Sequence, residues 1–288
     1  MIKEDFTKLF GHLKQNHKTF LTKISIRLLN YWLYKKAMNW RNNYQENDFI
    51  STISLKKKSD TVFIFGSGWS INNIKKDEWN NFNNHNTISF NWFIYQSFIE
   101  IDFHLIRETF AYVTNIAKLR EVTKHYCDIL SQNRLYDNST LFVQSGIAAS
   151  SGNIILGEQM LPKRFKICRF YTKSRGIYEE PSTNYKDGLV HGPGTLIDSI
   201  NFAILGDWKK IVLVGVDLYN PSYFWLNKGN LGHTKTPDPN KSYKHSTVKN
   251  GIIEFINKWN KKIKKKKKEI YIYNPDSLLS DKLTIYSK

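Results

Sequence analysis

Two cysteines in 288 residues, Cys127 and Cys168, are too few and too far apart for a disulfide framework, a zinc site or a redox pair. A reducing compartment suits them, as packing residues. No run of about 18 apolar residues exists to span a bilayer, and the opening MIKEDFTKLFGHLKQNHKTF lacks the basic-then-apolar layout of a secretory signal. A cytoplasmic protein is expected. Acid is scarce as well: 25 Asp and Glu stand against 43 Lys and Arg, a net charge of +18. Such a balance calls for an anionic partner, whether nucleic acid, an acidic membrane surface or a phosphorylated small molecule. No Asp-x-Asp pair is present to hold a cation on a diphosphate, and no Walker pattern supports ATP hydrolysis.

What the chain does have is apolar and aromatic residues, 41% and 15% of the total, enough for one large core or two modest ones. The positive charge gathers in the first sixty residues and in Lys261–Lys268 (KKIKKKKK). Residues 1 to about 45 place Phe6, Leu9, Phe10 and Leu13, then Phe20, Leu21, Ile24, Leu28, Tyr31 and Trp32, at spacings of three and four between lysines. This is amphipathic helix periodicity, suited to the surface of an anionic bilayer or to packing on the globular body. Residues 1–58 are read as a basic helical extension and 59–288 as the main domain.

From Thr61 the pattern changes to short apolar runs separated by helical stretches: TVFIFG, NTISFN (Asn86–Asn91), IDFHLI (Ile101–Ile106), KKIVLVGVD (Lys209–Asp217) and EIYIYN (Glu269–Asn274). Continuous β-branched and aromatic runs of this length predict an α/β fold, a mostly parallel sheet with helices on both faces. Ligands bind such sheets at the carboxyl ends of the strands. The polar residues follow that rule: Gly66-Ser67-Gly68-Trp69-Ser70 after the first run, Asn91 after the second, Arg107 and Glu108 after the third, Asp217 to Tyr219 after the fourth. A lid insertion is expected around 110–190, where periodicity weakens, and again around 220–245.

The Gly66-x-Gly68 turn offers backbone amides to a phosphate, although Ile71 stands where a dinucleotide fingerprint needs a small residue. A second glycine turn, His191-Gly192-Pro193-Gly194-Thr195, precedes the apolar stretch Leu196–Leu205 and aims helix amides at an anion, or is a plain tight turn capped by Thr195. Tyr219 and Tyr223 bear phenols able to donate to phosphate oxygens. His245, just before the helical stretch Val248–Trp259, is a candidate base or a solvated loop histidine, as are His191 and His233.

In order and spacing the pieces FIFGSGWSI, ISFNWF (Ile88–Phe93), ILGDWKKIVLVGVDLY (Ile204–Tyr219), KHSTVKNGIIEFI (Lys244–Ile256) and YIYNPDSLL (Tyr271–Leu279) resemble the bacterial CMP-sialic acid-dependent sialyltransferases of glycosyltransferase family 42. These enzymes act in lipooligosaccharide and lipopolysaccharide biosynthesis. The resemblance implies a Rossmann-like doubly wound sheet of a GT-A-like variant, with a lid and a helical N-terminal extension. It implies inverting, metal-independent glycosyl transfer with no cofactor beyond the CMP-sugar donor. His245 would deprotonate the acceptor, and Tyr219 and Tyr223 would receive the charge of the departing phosphate. Donor contacts would come from Gly66, Ser67, Gly68, Ser70, Asn91, Glu108, Gly194, Thr195 and Ser222.

Departures at Ser67, at His191, Pro193 and Gly194, and at Arg107 and Glu108 touch the donor site, so another CMP-activated acidic sugar, such as Kdo, suits the same architecture. The expected partners are the donor, a glycan or glycolipid acceptor and an anionic inner-membrane surface, with a homo-oligomer left open and no nucleic acid. Charge and aromatics alone also suit a basic nucleic-acid-binding protein, though no groove or single-strand recognition motif is visible.

Overall fold

The computed structural model describes residues 17–39, 49–107, 116–146, 149–174, 179–219, 223–225 and 246–287. Two helices, α1 (His17–Asn39) and α2 (Phe49–Ser54), precede β1 (Thr61–Phe65), α3 (Lys76–Phe82), β2 (Asn86–Phe90) and β3 (Phe103–Ile106). Then come α4 (Ile116–Gln132), β4 (Thr140–Gln144), α5 (Ser150–Gly157), β5 (Lys166–Phe170), β6 (Thr172–Ser174) and β7 (Leu189–His191). The chain continues through α6 (Thr195–Leu205), β8 (Lys210–Val214), α7 (Ser246–Lys249), α8 (Ile252–Lys264), β9 (Glu269–Ile272) and β10 (Thr284–Ile285).

Eight strands form one sheet in the order β10-β9-β8-β1-β2-β3-β4-β5, and every neighbouring pair is parallel. The expected "mostly parallel" sheet is therefore wholly parallel. From β1 the chain winds outward to β5, then returns through α6 to place β8 against the other edge of β1. Strand order reverses there, and the carboxyl ends stay level, because Phe65 pairs with both Val214 and Ser89.

Parallel sheets need cover on both faces, which explains the unbroken apolar strands. Val62 and Ile64 point into a core with α2, α6 and α8, while Phe63 and Phe65 point into one with α1, α3, α4 and α5. Cys127 and Cys168 are packed inside, their thiols pushed up to about 12 and about 11 by burial.

Residues 116–170 carry α4, β4, α5 and β5, so this part of the expected lid belongs to the main sheet and its cover. β6 and β7 make a separate two-stranded piece. Both described helices of the expected 1–58 extension bury side chains in the body. Phe49 of α2 stacks on Tyr185 at 4.1 Å and meets Phe142 and Phe202 edge-on. Leu33 and Ala37 of α1 are buried on the α5 side, where Gly157 lets the helices approach closely.

A buried polar chain backs the site. His104 is fully enclosed, with Nδ1 2.7 Å from Ser89 Oγ and Nε2 2.6 Å from Tyr126 Oη. The Tyr126 hydroxyl donates to the Asn91 carbonyl at 3.1 Å. Burial pushes the His104 pKa down to about 3 from an ordinary 6.5, so the ring is neutral in the folded protein. Between those values the unfolded chain binds a proton that the folded chain refuses. Stability is therefore lost as pH falls below about 6.5, at about 1.4 kcal/mol per pH unit from this group. Denaturant titrations of His104→Gln between pH 6.5 and 4.5 should show a shallower loss than wild type by that amount. Equal slopes would show that His104 does not carry it.

Candidate functional site

The reversal of strand order opens a crevice at the carboxyl ends of β8, β1 and β2, the position where open α/β sheets hold ligands. Both glycine turns come to it. The turn after β1 lies against the exit of β8: a Cβ added to Gly66 would stand 2.6 Å from the Gly215 carbonyl oxygen, and one on Gly68 2.5 Å from Asp217 Oδ2. Only glycine permits that approach.

Close approach also occupies the amides. The Gly66 N–H donates to the Val214 carbonyl at 2.7 Å, the Gly68 N–H to the Gly215 carbonyl at 2.8 Å, and the Ser70 N–H to Asp217 Oδ2 at 2.9 Å. The Ser70 hydroxyl donates to Asp217 Oδ1. These groups are bonded within the protein, so the N–H groups of Gly66, Gly68 and Ser70 already have acceptors. Ser67 accepts the Phe224 N–H on its carbonyl at 3.2 Å, and Gly68 forms a bridge with Tyr223. The turn is thus the seat of segment 223–225.

Asp217 is the organising residue, 2% exposed. Besides Ser70 it accepts from Asn274 Nδ2 at 2.9 Å, tying the exit of β9 to the same carboxylate. Tyr219 lies on this side of the crevice. Burial and the Asp217 charge raise its pKa, and a hydrogen bond with Asn274 opposes them. Tyr223 has different neighbours, at Gly68, so the two phenols expected to act together reach the crevice from different positions.

The second glycine turn opens a helix. Gly194 caps α6 without a side-chain bond, and the first amides of a helix have no acceptor within it. Asn91 meets this turn: its Nδ2 donates to Thr195 Oγ1 at 3.0 Å and its Oδ1 accepts the Arg107 N–H at 3.4 Å. Asn91 holds φ +49°, a left-handed conformation tolerated by asparagine and fixed here by Tyr126. The first turn of α7 is close by, since Thr247 Cγ2 is 3.3 Å from where a Cβ on Gly194 would stand. His245, Glu108, Ser222 and His233 lie outside the described residues.

Sequence reasoning missed a histidine–carboxylate hydrogen bond. Asp198, fully buried in the first turn of α6, stands 2.7 Å from His191 Nδ1 through its Oδ2. Burial raises its pKa; the His191 bond and the Arg107 charge oppose this. Its signal was a lone acid in an apolar helix. With Nδ1 engaged, Nε2 is the ring nitrogen left for other partners, the arrangement that orients a general base.

Among the described residues no three His, Cys, Asp or Glu side chains converge as a metal ion requires. A cavity of about 360 Å³ lies at the opposite edge of the sheet, by Asp207, Lys262, Lys266 and Lys268. Two of its cations are paired, Lys262 with Glu180 at 2.6 Å and Lys268 with Asp207 at 2.7 Å. It is remote from the crevice.

Fold and site together define a Rossmann-like parallel α/β protein with a crevice at its switch point. Comparison with protein-family models and with curated proteins found no match.

Asp217→Ala should destabilise the protein by about 2–4 kcal/mol, because it leaves the Ser70 and Asn274 donors buried and unpaired. Ser70→Ala should cost about 1 kcal/mol. Urea unfolding with an unchanged slope checks both, and an Asp217→Ala variant as stable as wild type would rule out the clamp.

Proposed function

We propose that the chain is a glycosyltransferase moving an acidic, sialic acid-like sugar from a CMP-activated donor to a hydroxyl of a cell-surface glycan or glycolipid. The observation that carries this reading is the meeting of both glycine turns, Asn91 and the Tyr219 and Tyr223 segments at the one switch point of the sheet. The first glycine turn, Asn91 and Tyr219 lie in the pieces through which the sequence resembles the sialyltransferases, whereas the second glycine turn is one of its departures from them. A CMP-Kdo-type donor fits the same crevice.

In this mechanism the acceptor hydroxyl gives its proton to a histidine and attacks the anomeric carbon as the CMP phosphate departs. The transition state has oxocarbenium character, and holding both reactants in one crevice supplies much of the rate. The amino end of α6 and the phenols of Tyr219 and Tyr223 stabilise the phosphate, so the step runs without a metal. The resemblance gives the base as His245. The 2.7 Å bond to buried Asp198 favours a second assignment, His191.

CMP and CDP should raise the melting temperature selectively over UDP, GDP and NAD; no shift with any nucleotide would sink the donor reading. His245→Ala should lower transfer by about 10²–10⁴ while CMP still binds. If that loss follows His191→Asn instead and His245→Ala stays active, the base is His191.

A lipid-linked acceptor would bring the enzyme to a membrane surface as a peripheral protein. Among the described residues no helix is long and apolar enough to cross one. α1 supports surface contact: Trp32 is 55% exposed with Leu28 and Tyr31 beside it, and Lys35 and Lys36 lie over the Tyr31 and Trp32 rings at 5.6 and 5.2 Å. The lysine run ends α8 on the opposite face of the sheet, so it does not act through the same face as α1. Sedimentation with vesicles should depend on anionic lipid and weaken in Trp32→Ala; binding indifferent to lipid charge would remove this role.

A further inference from the structure

Four aromatic side chains from two distant segments stack in succession along the rim of the crevice. Trp92 and Tyr95 belong to the short helical turn Asn91–Tyr95 that follows β2. Tyr223 and Trp225 belong to the segment seated on the first glycine turn. Trp92 lies 5.8 Å from Tyr95 with planes 17° apart, Tyr95 lies 5.2 Å from Trp225 at 29°, and Trp225 lies 4.7 Å from Tyr223 at 6°. Tyr126 meets Trp92 edge-on. At the other end stands Tyr223, 40% exposed, beside Gly68.

Among the described residues the only ring stacked on Tyr223 is Trp225, which covers one face. Folding has thus aligned a column of π-systems that, among the described residues, ends at Tyr223 beside the first glycine turn. The partner that extends such a column is another flat π-system, because offset stacking is favoured between ring quadrupoles and a puckered sugar ring has none. Bases stack on protein aromatics with little regard to their identity, since every base has a π-face. Burial raises the Tyr223 pKa, while 40% of the residue stays exposed.

We propose that the open face of Tyr223 receives the nucleobase of a nucleotide bound in the crevice, and that its ring, not its hydroxyl, makes the contact. This rests on the proposed function for the choice of cytosine; the column itself asks only for a nucleobase. It moves Tyr223 from the phosphate to the base and leaves Tyr219 as the phenol nearer the phosphate.

Calorimetric titration of the full chain with CMP and with ribose 5-phosphate, which has the same phosphate and sugar but no base, tests it. Tyr223→Phe should keep CMP affinity within about twofold, and Tyr223→Leu should lose about tenfold for CMP with no loss for ribose 5-phosphate. Tryptophan emission, to which all eight tryptophans contribute, should change more with CMP than with ribose 5-phosphate, and this difference should shrink in Trp225→Phe, which replaces the ring stacked on Tyr223. Equal losses in Tyr223→Phe and Tyr223→Leu, or none in Tyr223→Leu, would overturn the proposal and leave the CMP-sugar reading standing. The same ring dependence with AMP or GMP in place of CMP would uphold it while the cytidine donor reading fails. Binding of no nucleotide would end both.

Discussion

A single carboxylate, that of Asp217, joins three chain segments where the sheet reverses its order. Its oxygens take the N–H and hydroxyl of Ser70 from the turn after β1 and the side-chain amide of Asn274 from the exit of β9. Removed from water, a carboxylate is tolerable only when donors surround it, so the three segments and the charge require one another. The rest of the rim follows. With the first turn drawn onto β8, Ser67 and Gly68 become the seat for Tyr223 and Phe224, and the aromatic column acquires its end point. The same contact engages the N–H groups of Gly66, Gly68 and Ser70 within the protein.

Buried polar groups here divide into two kinds. The chain from Ser89 through His104 and Tyr126 to the Asn91 carbonyl is enclosed, and its effect is to hold one asparagine in a left-handed conformation at the end of β2. Asn201 is likewise architectural, accepting the N–H groups of Ser182 and Val190 so that the segment before β7 lies on α6. Asp198 is different: one oxygen holds His191, and the other has no hydrogen-bond partner among the described residues. Within a single helix, α6, Asn201 thus stabilises the fold while Asp198 positions a titratable ring.

The fold was legible where burial dictates composition. Strands enclosed on both faces must be apolar throughout, so TVFIF, NTISF, FHLI, KIVLV and EIYI announced β1, β2, β3, β8 and β9. β5, written KICRF, was missed because a strand at the end of the sheet keeps charged residues; β4, TLFVQ, carried the apolar signal but lay among polar pieces. The site was legible in its glycines and in Asn91, since strand ends in such a sheet share one edge. What those glycines do was not legible. A glycine beside a phosphate and a glycine beside a neighbouring carbonyl look alike in one dimension, and only the level ends of β1 and β8 distinguish them. Asp198 escaped notice for a similar reason: its partner His191 sits on the far side of a glycine turn.

The pairing of Thr61 with Lys210 has a consequence for how the protein is made. During synthesis β1 emerges early and finds β2 at once, but its other edge waits for β8, which emerges only after β5 and the whole excursion through β7. Until then the nascent half-sheet carries a bare apolar edge in its most aggregation-prone strand. Long-range parallel pairing of this kind is slow to form. The β1–β8 pairing therefore forms only after the second half of the chain is made, and an edge left open that long favours shielding by the helices already folded beside it.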